Sequence, residues 1–167
     1  MTIHGFGDLV MEMPTAPDTR KLARELITAA EKCAPVEPFS NRYGPLTPIR
    51  AAAIRAAWLR LRIEAGAAVR GKKIAAIRRS WRGHAQALEG GWGHILDSTL
   101  LVDGTDLPAS HLIQPRIEAE FAFLLGEDLA GPGVTAAHAQ AATAGVCAAF
   151  EIIDSRFRPK EIGRAHV

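Results

Sequence analysis

Gln114-Pro115-Arg116-Ile117-Glu118-Ala119-Glu120-Phe121-Ala122-Phe123-Leu124-Leu125 is the stretch whose reading decides the fold. Extended, it places Ile117, Ala119, Phe121, Phe123 and Leu125 on one face. Glu118 and Glu120 fall on the other, with Ala122 and Leu124 behind them. Two carboxylates two residues apart thus stand side by side at the inner end of an apolar strand. Like charges at that spacing repel, and leaving them unpaired near a core is costly. A divalent cation removes the conflict, because Mg²⁺ and Mn²⁺ prefer hard oxygen ligands. A solvated strand end with two surface glutamates is the other reading of the same residues.

A second apolar run carries a third acid: Ala148-Ala149-Phe150-Glu151-Ile152-Ile153-Asp154-Ser155-Arg156. Glu151 sits between Phe150 and Ile152, where a charge needs a partner. Two glutamates on one strand and one on another can complete a facial carboxylate site with open positions for water and substrate.

The strings QPRIEAEFAFLLGEDLAGPGVT and AAFEIIDSR resemble the hydratase/decarboxylase branch of the fumarylacetoacetate hydrolase superfamily. The resemblance runs from about Pro35 to Arg156. It implies an α+β fold: an N-terminal helical pair, then the first part of a mixed β-roll. It implies Mg²⁺ or Mn²⁺ on Glu118, Glu120 and Glu151. It also implies metal-dependent hydration of 2-hydroxypenta-2,4-dienoate to 4-hydroxy-2-oxopentanoate in aromatic-compound degradation. The alternatives are 4-oxalocrotonate decarboxylase, or an inactive fragment with a vestigial metal site. The partner is then a small 2-oxo or 2-hydroxy dienoate, and the full-length parent is expected to be a homo-oligomer.

The rest of the chain fits around these strands. At 167 residues, 48% hydrophobic and 23% charged, it suits a globular domain with a sizeable core. A net charge of +2 does not by itself imply a nucleic-acid partner. Cys33 and Cys147 lie far apart and outside any metal or redox spacing, so they read as reduced thiols. No charged-then-apolar leader or long apolar run is present, which makes a cytoplasmic location the expectation and argues against a membrane partner.

Residues 1–66 form the helical region. A start near Thr15-Ala16-Pro17-Asp18 leads to a helical stripe of Leu22, Leu26, Ala29 and Ala30 reaching about Cys33. Pro35, Pro38, Gly44 and Pro45 mark a loop. Thr47-Pro48 caps a second helix to about Ala65, with Ile54, Trp58 and Leu61 on one face, and Gly66 ends it.

Residues 67–161 form the incomplete catalytic domain, beginning with a strand over 69–77. Lys73 falls on the lysine that the family uses in its active site. Ala75, Ala76 and Ile77 replace the family's glycine, leucine and threonine. Arg78, Arg79, Trp81, Arg82 and His84 form a basic stretch, read as a solvated face rather than a nucleic-acid motif. The loop Glu89-Gly90-Gly91-Trp92-Gly93-His94-Ile95-Leu96-Asp97 resembles a family loop whose acid/base aspartate falls here on Gly91. The resemblance assigns Trp92 and His94 to substrate binding, although a lone histidine is more often structural. Leu100 to Val102, Asp103-Gly104 and the residues before Pro108 read as a hairpin. Thr135 caps a helix over 136–143, and a strand over 146–153 brings in Glu151.

Residues 162–167, Ile-Gly-Arg-Ala-His-Val, are what ATC GGA AGA GCA CAC GTC encodes, a common sequencing-adapter string. They are expected to be a non-native tail. The chain as given is expected to be poorly active and prone to associate.

Overall fold

The structure, a computed structural model, describes residues 18–74 and 92–159. The expectations at 15–17, at the basic stretch 78–84, at Ala75, Ala76, Ile77 and Gly91, and at 162–167 fall outside the described residues.

The chain divides into two units, one of Met1–Leu107 with Arg156–Val167 and one of Pro108–Ser155. The first holds α1 (Thr19–Glu31), α2 (Phe39–Tyr43), α3 (Pro48–Glu64), β1 (Val69–Ile74) and β2 (Trp92–Leu96). Leu22 and Ala29 of α1 are buried, as the stripe requires. In α3 the Thr47 hydroxyl accepts the Arg50 N–H at 3.2 Å, with Pro48 in the first turn. Gly66 takes φ +96, and the Ala67 N–H then bonds back to the Arg62 carbonyl at 3.0 Å.

The proline-rich segment expected as loop contains one short helix, α2. Its Phe39 is buried and meets the Phe157 ring edge-on, centroids 5.2 Å apart. Tertiary burial, which local turn signals do not encode, stabilises those five residues as a helix. Leu22, Phe39 and Ile54 form the core, with Leu26, Tyr43, Leu46 and Phe157 packed against it.

β1 and β2 pair antiparallel. A 3₁₀ turn, Asp97–Thr99, follows β2. One Asp97 oxygen accepts the Ala68 N–H at 3.0 Å and the Ser98 N–H at 2.8 Å, tying the entry of β1 to the exit of β2. The hairpin expected over 100–107 is not formed. Asp103-Gly104 do make a turn, with Thr105 N–H bonded to the Val102 carbonyl at 3.1 Å and Gly104 at φ +79. Leu100, Leu101 and Val102 are exposed, and a turn without cross-strand partners and a buried face does not hold two strands together.

The second unit holds β3 (Pro115–Leu125), α4 (Ala136–Ala142) and β4 (Thr143–Asp154). Thr135 caps α4 as expected: its hydroxyl accepts the His138 N–H at 3.3 Å, and His138 Nδ1 accepts the Thr135 N–H at 3.2 Å. β3 and β4 are antiparallel neighbours, paired from Pro115 with Asp154 to Leu125 with Thr143. β4 is longer than expected because the residues flanking 146–153 also pair with β3. Among the described residues, no helix is long and apolar enough to cross a membrane.

Candidate metal centre

The β3–β4 register decides what the three glutamates can do. Glu118 stands directly opposite Glu151, and Glu120 opposite Ala149. Residues facing each other across a ladder project from the same side of the sheet. All three carboxylates therefore share one face, and one oxygen from each lies within 4.8 Å of the others. Glu151 Oε2 is shielded from solvent, whereas Glu118 and Glu120 are exposed.

Asp154, at the end of β4, pins this register. Its Oδ1 accepts the backbone N–H of Ile113 at 3.0 Å and of Gln114 at 2.8 Å, and Gln114 Nε2 donates to the Ser155 carbonyl at 3.2 Å. A slip of one residue would send Glu151 to the opposite face. Sequence reading quoted Asp154 without giving it a role. An acid at the end of an apolar run was the available signal.

The donor set suits a divalent cation. Three hard oxygens within 4.8 Å of one another can converge on one side of an ion whose metal–oxygen bonds are about 2.0–2.6 Å. Three negative charges at that range repel one another unless a cation lies among them.

The other expected site residues belong to the first unit. Register pairs Lys73 with Gly93, Lys72 with His94 and Ile74 with Trp92. Strand alternation puts Trp92 and His94 on one face and Lys73 on the other, so Lys73 does not share a face with the two residues expected to bind substrate beside it. Beside Lys73, an added Cβ at Gly93 would meet nothing within 4 Å among the described residues.

On the Trp92 face the ring contacts His94 edge-on, centroids 5.0 Å apart. It carries Arg55 of α3 at 4.8 Å and Lys72 at 5.7 Å from its centroid. Arg55 Nη1 also donates to the Trp92 carbonyl at 3.4 Å. The sequence does not announce this cation pair; the β1–β2 register, which no alternation within one strand gives, sets Lys72 rather than Lys73 on the Trp92 face.

No protein-family model matches the chain. It is 36% identical over 143 residues to a 2-hydroxypent-2,4-dienoate hydratase of Pseudomonas putida, covering 85% of this chain and 64% of that one. It is 34% identical over 135 residues to a 2-oxo-hept-4-ene-1,7-dioate hydratase of Escherichia coli, covering 81% of this chain and 51% of the other. Among solved structures, the 4-oxalocrotonate decarboxylase of Pseudomonas putida G7, complexed with magnesium and adipate, superposes with a TM-score of 0.74. It is 25% identical, over 88% of this chain and 57% of that one. The chain thus spans between half and two thirds of the length of these three proteins.

These likenesses define a class with mixed helix and strand content whose members include hydratases and decarboxylases. Within it, the relatives of this chain carry the names of 2-keto-4-pentenoate hydratases and 4-oxalocrotonate decarboxylases, the branch that PRIEAE and EIIDSR resemble.

Proposed function

We propose that this chain carries the metal centre of a hydratase that adds water to 2-hydroxypenta-2,4-dienoate, giving 4-hydroxy-2-oxopentanoate. The observation that carries the reading is the gathering of Glu118, Glu120 and Glu151 within 4.8 Å on one sheet face. These glutamates would hold Mg²⁺ or Mn²⁺, which when bound supplies a Lewis acid and a template for the substrate's carboxylate and 2-oxygen.

The chain's own residues do the rest. The carboxylates fix one side of the site. The Lys73 ammonium orients the substrate or moves a proton as the dienol becomes its conjugated ketone. Water oxygen then bonds to C4 while a proton goes to C3, which balances the addition. In this reading the strands form the first part of a mixed β-roll after an N-terminal helical pair, and the parent assembles as a homo-oligomer. Turnover by the chain itself is low, because the ligand strands have an open apolar face instead of a supporting shell.

Decarboxylation of 4-oxalocrotonate is the second reading, favoured by the 0.74 superposition on such an enzyme and by Gly91 where the family has an acid. It needs no water addition. Product analysis on both substrates with Mg²⁺ or Mn²⁺ separates the two. Formation of 4-hydroxy-2-oxopentanoate, raised by Gly91→Asp, supports hydration; CO₂ release from 4-oxalocrotonate alone replaces that reading.

A further inference from the structure

A bulge in β1 decides which of two adjacent lysines faces which way. Val69 stands opposite Leu96. A regular ladder continued from that pair would set Lys72 opposite Gly93 and Lys73 opposite Trp92. The observed register skips a residue between Val69 and Gly71, so Gly71 meets Ile95, Lys72 meets His94, Lys73 meets Gly93 and Ile74 meets Trp92. Arg70 is the extra residue of that bulge. Partners across a ladder share a face, so the skip reverses the facing of every residue from Gly71 to Ile74. It sends Lys72 to the side of Trp92 and His94, and Lys73 to the other.

The ladder alone separates the two registers weakly, because Gly71 and Gly93 bring no side chain to a cross-strand pair. Groups outside it hold each end. Before the bulge, Asp97 accepts the Ala68 N–H at 3.0 Å, Leu96 is fully buried, and Arg62 of α3 donates to the Ser98 hydroxyl at 3.2 Å. Beyond it, Arg55 of α3 stands 4.8 Å from the Trp92 ring centroid and donates to the Trp92 carbonyl at 3.4 Å. That guanidinium tells the registers apart. A residue directly opposite Trp92 has its Cβ about 4.5–5.5 Å away, a diagonal one about 7–8 Å. As observed, apolar Ile74 is directly opposite and Lys72 is diagonal, its ammonium 5.7 Å from the ring centroid. The regular register would put Lys73 directly opposite, driving a second cation against Arg55. It would also take Ile74 off the indole, losing an aromatic–β-branched pair.

We propose that Arg55, acting through Trp92, is a positioning residue: it holds the bulged register and so makes Lys73, not Lys72, the lysine of the face away from Trp92. The use of that lysine rests on the proposed function; the choice between the two lysines does not. Trp92 and His94 then serve the site from behind, by fixing the strand that presents Lys73.

Competitive acetylation of the complete 167-residue chain, read by mass spectrometry at Lys72 and Lys73, tests it. Lys72 is exposed and Lys73 half-buried, so Lys72 is expected to react faster. Arg55→Glu attracts a lysine to the position directly opposite Trp92 and inverts that order. Arg55→Ala, which only removes the repulsion, brings the two rates within about twofold of each other. Arg55→Lys keeps the charge and the native order. Deleting Arg70 makes the Lys73–Gly93 pairing the regular one, so Arg55→Glu in that background leaves the native order in place. Equal rates in the native chain overturn the proposal. So does a native order that survives Arg55→Glu and Arg55→Ala, or an inversion that persists without Arg70. Should Arg55→Glu lose its helical transition, Arg55→Ala decides by the same ratio. The labelling needs no turnover, so its failure is distinct from failure of the role given to Lys73, which Lys73→Met tests in the product assay.

Discussion

The two units spend their apolar residues in opposite ways. In the first, Leu22, Phe39 and Ile54 from three helices meet, and Phe157 from the far end of the described chain closes over them. In the second, the longest of the described strands leave Phe121, Phe123 and Phe150 in solvent. Yet the second unit brings together the chemistry-bearing carboxylates. A helical core draws its order from burial. The ribbon draws its order from backbone pairing, with a carboxylate clamp at one end, and its side chains remain available for a cation on one side and for packing on the other.

That contrast can be broken from the first unit. Leu22→Ala removes a fully buried side chain and is expected to cost about 2–5 kcal/mol in the thermal or urea transition of the helical unit. Mn²⁺ binding at the β3–β4 carboxylates should stay unchanged in calorimetry. Loss of both together would show that the ribbon depends on the helical core.

From the other side, Glu118→Gln or Glu151→Gln is expected to weaken Mn²⁺ binding by at least about tenfold while leaving the helical transition in place. Unchanged binding in both variants would move the metal elsewhere.

Asp154→Ala sharpens the comparison within the ribbon, since it leaves two backbone N–H groups without their carboxylate acceptor. A destabilisation of about 1–3 kcal/mol is expected. Mn²⁺ affinity should fall too, although Asp154 is not one of the three gathered carboxylates, because the register that sets Glu118 opposite Glu151 loosens. Affinity that survives intact would mean that pairing alone holds the register.

The smallest effect is a pH dependence in the first unit. The Ala68 and then the Ser98 backbone N–H groups hold the Asp97 carboxyl below the ordinary carboxylate value. The guanidinium of Arg20, hydrogen-bonded to Glu64, does the same there. Both groups bind fewer protons folded than unfolded, so their contribution is present above about pH 4–5 and is lost as the pH falls through the folded values. Melting temperatures at pH 7 and pH 3 should therefore converge between the native chain and Asp97→Asn. A gap that stays constant would exclude the carboxylate as its source.

Much of the site was legible in the sequence. Period-2 alternation put Glu118 and Glu120 on one face. An acid embedded between Phe150 and Ile152 marked Glu151, and Thr47-Pro48 and Thr135 announced their helices. These features are local: each follows from the geometry of a few consecutive residues.

What the tertiary structure alone decided was non-local. No pattern within β3 or β4 states that the two are direct neighbours, or that Glu118 faces Glu151 rather than Ala149 or Phe150; hydrogen bonding across the ladder sets that. The turn at Asp103-Gly104 was read correctly as a turn and wrongly as a hairpin, because no partner strand or buried face accompanies it among the described residues. Phe39 and Phe157 are 118 residues apart, and their ring contact, which anchors a helix inside a proline-rich segment, exists only once the chain has closed. Local sequence specifies which way a side chain points, but long-range pairing and burial determine what it meets there.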